Sequence, residues 1–228
     1  MPDELREKRR AARIAGNRAD ILDAAERTFA ERGLTEGSLR DIAKHAGFST
    51  AAIYNYFDNK QHLFVEALSR RGVELLDVIA RAASDGDTPL ARLHSIIDAA
   101  VTYFQTYPDF CRMVRQVLQP GLVLPEVVAD YAGEGVDLFA GLVDLMSGIM
   151  AEGQAIGEVR DGDPSALLQI YMTLVFEQVL QAAPDNGATA LTIDQFHGLV
   201  DGALRRPQPS DQGGTRAGPR RRGGPAKR

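Results

Sequence analysis

A chain of 228 residues, 44% of them apolar, can bury a sizeable core as one large helical domain or as a small domain joined to a larger one. No apolar run approaches the roughly 18 charge-free residues of a membrane helix, and the charged start MPDELREKRRAARIAG lacks the apolar centre of a secretory signal. A soluble, cytoplasmic protein is therefore expected, and its single cysteine, Cys111, excludes an internal disulfide and any multi-cysteine zinc site.

The net charge of −5 conceals a segregation. Residues 1–72 carry 13 Lys and Arg against 11 Asp and Glu, residues 73–204 carry 5 against 19, and residues 205–228 carry 8 against 1. Such a middle repels a polyanion, so any contact with nucleic acid falls to the two ends.

Apolar residues recur at helical spacing between Pro, Gly and capping residues, which predicts an all-α fold. Residues 1–18 read as a basic arm. The first helix then carries Ile21, Leu22, Ala25 and Phe29 on one face and is predicted to stop at Gly33, a left-handed carboxy-terminal cap. Ser38 to Asp41 forms a capping box for a second helix ending near Gly47, and Ser49 caps a third that runs to about Phe57. Asp58 or Asn59 caps a fourth, whose Leu63, Phe64, Ala67, Leu68, Leu75 and Ile79 extend to about residue 80. Thr88-Pro89, Asp163-Pro164 and the box from Thr192 to Gln195 open later helices. The spacing places helices at 89–107, 108–118, 124–157, 164–182 and 192–206. The third of these contains Gly133, Gly135, Gly141, Gly148 and Gly153, each costing about 1 kcal/mol against Ala, which predicts a kink or a split. Beyond Arg206, residues 207–228 hold too few apolar side chains to fold and read as a disordered basic tail.

Residues 38–57 have the punctuation of a helix-turn-helix: two short helices, a tight glycine turn and a bracing helix before them. Ala43 permits a close crossing, Gly47 the turn, and Ile42, Phe48 and Ile53 an inward seam. Thr50, Ala51, Tyr54 and Asn55 are left on the outward face, where small residues let backbone approach base edges. Tyrosine hydroxyls and Lys60, at the start of the fourth helix, are suited to phosphates. Pattern alone is shared between a DNA-reading unit and an ordinary helical hairpin.

Residues 21–64, ILDAAERTFAERGLTEGSLRDIAKHAGFSTAAIYNYFDNKQHLF, resemble the amino-terminal domain of the TetR family almost position for position. The likeness runs through the AA and F of the first helix, Gly33, DIA, AG and the Tyr-x-Tyr-Phe-x-x-Lys run ending at Lys60. It implies a TetR-like fold, with a helix-turn-helix domain at 19–72 and a helical effector-binding and dimerisation domain at 73–206. It implies a homodimeric regulator of transcription, a repressor, that binds a palindromic operator in double-stranded DNA and is released by a small-molecule effector. Thr50, Ala51 and Ala52 would face base edges, Tyr54 and Tyr56 would hold the backbone, Lys60 would pin a phosphate and Asn55 would do either. Ser38, Arg40, Lys44 and Ser49 complete the expected DNA-contacting set. One position departs: Gly37 stands where the family usually has Thr, so the phosphate contact often made there passes to Ser38 or is lost.

By the same resemblance the last two helices form the dimer interface, which makes Leu167, Ile170, Tyr171, Leu174, Ile193, Phe196, Leu199, Val200 and Ala203 interface or core candidates. Tyr103, Phe104, Phe110, Met113, Phe139, Met146, Met150, Met172 and Phe176 offer soft lining for an apolar effector. Glu177, within the apolar run YMTLVFEQVL, needs a partner, water or a cationic ligand, so a cationic effector is also weighed. No cofactor and no metal are expected, because His45, His62, His94 and His197 fall on separate helices and His94 with Asp98 reads as a surface pair. Without a GxGxxG, P-loop, HExxH or GxSxG motif, catalysis is not expected either, and the rival reading is a dimeric regulator without an effector.

Overall fold

The computed structural model describes residues 2–117, 133–182 and 190–207. Among these, helices account for every regular element: α1 (Pro2–Glu36), α2 (Leu39–Ala46), α3 (Thr50–Ile53), α4 (Lys60–Ala82), α5 (Pro89–Thr106), α6 (Pro108–Val117), α7 (Gly133–Ala155), α8 (Pro164–Gln181) and α9 (Ile193–Leu204). An isolated bridge pairs Val159 with Arg205 and ties the carboxy-terminal end of α9 to the loop after α7.

The caps expected from sequence are in place. The side chains of Ser38, Ser49, Asn59, Thr88, Asp163 and Thr192 each accept a hydrogen bond from a backbone N–H of the first turn that follows, which satisfies donors a helix start leaves open. Thr192 and Gln195 close a reciprocal capping box.

Three expectations are corrected. The basic segment 2–18 is the first half of α1, continuous with the helix that carries Ile21 to Phe29. Gly33 has φ 73° and ψ 174°, a conformation open to glycine, yet the chain resumes a further helical turn to Glu36, so the glycine kinks the helix instead of ending it. The third helix spans Thr50–Ile53 and continues as turns through Tyr56, short of Phe57. Within the described residues α7 is one helix from Gly133 despite its glycines. Gly153 is there for space, since a Cβ would lie 2.4 Å from Val159 Cγ2.

Two cores result. The first joins α1 to α4 through Ile21, Phe29, Ile42, Ile53, Phe57 and Phe64, with Phe29 edge-on to Phe64 at 5.1 Å. The second packs α5, α7, α8 and α9 around Leu93, Ile97, Met150 and Tyr171. α6 belongs to both, because Met113 is buried in the first while Phe110 and Cys111 are buried in the second.

Candidate nucleic-acid interface and apolar cavity

α2, the Gly47 turn and α3 form the outer corner of the first core. Gly47 sits in the left-handed region at φ 74° and ψ 25°, its N–H closing α2. Ile42, Ala43 and Ile53 point inward, which leaves Ser49, Ala51, Tyr54 and Asn55 exposed and Thr50 and Ala52 half-buried. Tyr54 is 56% exposed, more than any other aromatic side chain described. Arg40 and Lys44 are exposed on α2.

Four of the side chains expected at DNA are already engaged within the protein, among them Ser49, whose hydroxyl accepts from Ala52 N at 3.1 Å as the cap of α3. The Tyr56 hydroxyl accepts a hydrogen bond from Asn17 Nδ2 at 3.0 Å, and Arg18 donates to the Tyr56 carbonyl at 3.4 Å while its guanidinium lies 4.8 Å above the Phe57 ring and pairs with Glu66 at 2.8 Å. Lys60 Nζ donates to the Thr35 carbonyl at 3.0 Å, bracing the end of α1, which leaves two of its three donors for another acceptor. Ser38 is committed as a cap: its hydroxyl accepts from Asp41 N and donates to Asp41 Oδ2, and that bond, together with Arg32, holds the Asp41 carboxyl below its ordinary pKa. The departure at Gly37 has a packing cause. A Cβ there would lie 2.8 Å from the Gly33 carbonyl oxygen and 3.0 Å from the Phe29 ring.

The second domain encloses a cavity of about 400 Å³ between α4, α5, α6, α7 and α8. Its described walls are apolar apart from Ser69 and the Tyr171 ring, and the Tyr171 hydroxyl is occupied, donating to the Leu93 carbonyl at 2.7 Å. Burial raises the pKa of that hydroxyl, which remains a neutral donor. Of the expected lining, Phe104, Phe110, Met146, Met172 and Phe176 are in the wall. Tyr103, Met113 and Met150 are buried elsewhere: Tyr103 donates to the Arg71 carbonyl and Glu74, and Met113 lies in the first core. The Phe139 side chain lies outside the described residues. Glu177 is not in the wall; one residue past Phe176, it points away, exposed, and accepts from Gln181 at 2.5 Å.

Residues 21–67 match the family described as bacterial regulatory proteins, tetR family. The chain is 28% identical over 196 residues to the HTH-type transcriptional repressor Rv1474c of Mycobacterium tuberculosis, covering 85% of this chain and 95% of that one. It is 36% identical over 100 residues to the repressor BepR of Brucella suis, covering 43% and 48%. The fold matches the transcriptional regulator FadR of Bacillus subtilis, solved with stearoyl-CoA, at a TM-score of 0.68 and 20% identity, over 82% of this chain and 99% of that one.

Residues 21–67 are a TetR-family DNA-binding domain. The full-length relative it matches is a DNA-binding repressor of transcription, not an enzyme.

Two features of the structure were not foreseen from the sequence. Glu26, on α1 and only 5% exposed, receives Arg70 at 2.9 Å and Arg71 through its Nε at 2.9 Å, both from α4. Arg71 also pairs with Glu74 and stacks 4.1 Å over Tyr107; its partial burial opposes the charge, but the bonds to Glu74 and Glu26 outweigh that and raise its pKa. The signal was available only as an acidic residue on the apolar face of the first helix. Secondly, His94 and His197, expected apart, stack at 4.2 Å with their rings 5° from parallel. Each meets a carboxylate of the other helix, His94 with Asp201 at 3.0 Å and His197 with Asp98 at 2.9 Å. Parallel rings cannot aim two nitrogens at one ion, and no metal-binding group is found among the described residues.

Proposed function

We propose that this protein is a homodimeric repressor whose α3 segments bind inverted half-sites of an operator and are withdrawn when an uncharged, apolar ligand enters the cavity. The observation that carries this is that the cavity wall and the DNA-binding domain share helices. α6 contributes Phe110 and Val114 to the wall, Met113 to the first core, and Gln116, whose amide donates to the carbonyls of Phe29 and Ala30 at 3.1 and 3.2 Å. α4 contributes Leu68, Leu75, Leu76 and Ile79 to the wall and Leu63 and Phe64 to the first core. A ligand that repositions either helix repositions α1 to α3.

The chemistry of the wall supports an apolar, uncharged effector over a cationic one. No charged side chain is in the described wall, so a buried cation would lose its hydration without a counter-charge. FadR of Bacillus subtilis, whose fold is similar, was solved with stearoyl-CoA, which makes long acyl chains the first class to test. Dimerisation is supported by the outer faces of α8 and α9. There Ile170 and Leu199 are 50% and 45% exposed, with Leu174 and Ala203 half-buried beside them. Leu167, Tyr171, Phe196 and Val200, also weighed for that interface, are buried in the second core, and Ile193 packs against it.

The experiment is a titration of a preformed complex between the protein and a duplex selected from a randomised library, followed by fluorescence anisotropy. Methyl stearate, which carries the acyl chain without a charge, should release the DNA, whereas tetraphenylphosphonium, an apolar cation, should not. Release by the cation alone would refute the assignment of the cavity.

A further inference from the structure

The first half of α1 belongs to neither core. From Glu4 to Gly16 its side chains are exposed, and it extends about 25 Å beyond the point where the helix begins to bury residues. Arg6, Arg10, Arg13 and Asn17 stand at i, i+4, i+7 and i+11, one row along one side of the helix, with Arg9 bordering it. Glu4 falls on the opposite side. No ion pair with a described residue occupies any of the four arginines, and α1 departs from helical geometry only at Gly33, so the row is continuous.

The last member of the row sets its direction. Asn17 meets the Tyr56 hydroxyl, and Arg18 beside it holds the Tyr56 carbonyl, the Phe57 ring and Glu66. Tyr56 ends the turn that follows α3. The side of α1 that bears the arginines is thus the side on which the recognition segment lies, and Asn17 and Arg18 clamp the foot of the extension to it.

We infer that Arg6, Arg9, Arg10 and Arg13 form a second DNA-contacting surface, a rigid basic row that lies along phosphates flanking each half-site and lengthens the footprint beyond α3. This rests on the operator-binding role proposed above. Charge selects the occupant: the duplex presents a phosphate about every 1.7 Å of its axis, and a helix of about 25 Å can follow up to about seven base pairs of it. Beyond the half-buried Asn17, the row presents only arginine outward, the group suited to phosphate oxygens, and no apolar stripe that would seat a protein partner.

The test uses the full chain and the variant R6A/R9A/R10A/R13A, alanine being chosen because it preserves the helix, as circular dichroism will verify. Anisotropy is measured against a library-selected duplex with long flanks and against the same duplex trimmed to the selected core, across a salt series. With long flanks, the slope of log K against log salt should be shallower in the variant by about 0.9 for each phosphate no longer neutralised, up to about 7 for a dimer in which all four arginines of each subunit engage. Trimming should weaken the parent chain to the level of the variant and leave the variant unchanged. Equal slopes, or equal sensitivity to trimming, would overturn the inference. A variant that binds DNA normally but sediments differently would also overturn it, since the row would then serve the acidic domain of a second copy. If the parent chain selects no duplex at all, the operator-binding role itself fails, an outcome distinct from these.

Discussion

Gly37 and Lys60 show how single positions in the DNA-binding domain serve the fold before they serve DNA. The TetR pattern usually carries Thr at position 37, but here the Phe29 ring and the Gly33 carbonyl occupy the space of a Cβ. Gly37→Thr, a return to the family pattern, should therefore destabilise the chain by about 1–3 kcal/mol, read as a lower melting temperature. An unchanged or raised melting temperature would show that Phe29 yields at no cost. Lys60→Ala should have two effects, because its ammonium holds the Thr35 carbonyl and has donors to spare. Stability should fall by about 1 kcal/mol and the salt slope by about 1 per subunit. Thr50→Ala should leave both untouched while relaxing base preference at one position per half-site, by about 1–3 kcal/mol if its contact is direct. Identical binding defects in the two variants would remove the distinction between holding and reading.

The elements legible from sequence were those announced by their own caps. Ser38, Asn59, Thr88, Asp163 and Thr192 mark their helices because capping is a local bond between a side chain and the next turn. What depends on the neighbouring element was not legible. The basic segment 2–18 has no apolar face of its own, and nothing local shows that it continues α1. Glu177 and Phe176 are adjacent in sequence, yet one faces solvent and the other lines the cavity, and only the packing of α8 on α5 and α7 decides which. Elements are also coupled by groups that sequence cannot pair. Glu26→Ala should cost about 3–5 kcal/mol, since Arg70 and Arg71 would lose a buried partner between α1 and α4. Gln116→Leu should leave acyl-ligand affinity for the free protein intact while weakening ligand-induced release about fivefold or more, because α6 would no longer hold the α1 carbonyls. Release equal to that of the parent chain would place the coupling elsewhere, with α4 the remaining route.

At the scale of the whole molecule, α5 and α9 are joined by a group of residues that responds to acid. Burial first, and the neighbouring His197 second, hold the His94 pKa below 6.5, against the pull of Asp201 and Asp98; Asp201 is shared with Arg205 at 2.8 Å. As pH falls through about 6.5 the unfolded chain takes up a proton at His94 before the folded chain does, so stability is lost on acidification and recovered as pH rises. His94→Asn should flatten that part of the pH profile of the melting temperature, and a slope equal to the parent's would exclude His94 as its source.

The cavity has a further property, set by which parts of its wall reach solvent. Val73 on α4 and Phe176 on α8 are 39% and 37% exposed, and both line it. α8 also carries Ile170 and Leu174, on the face proposed to meet the second subunit. By helical spacing that face stands about 120–160° around α8 from Phe176, so a partner seated there would leave both the Phe176 and the Val73 openings free. Ligand should then exchange at the same rate in the dimer as in the monomer, with a residence time independent of protein concentration across the dimerisation range. The signal would then follow the supply of ligand, however much of the regulator is present.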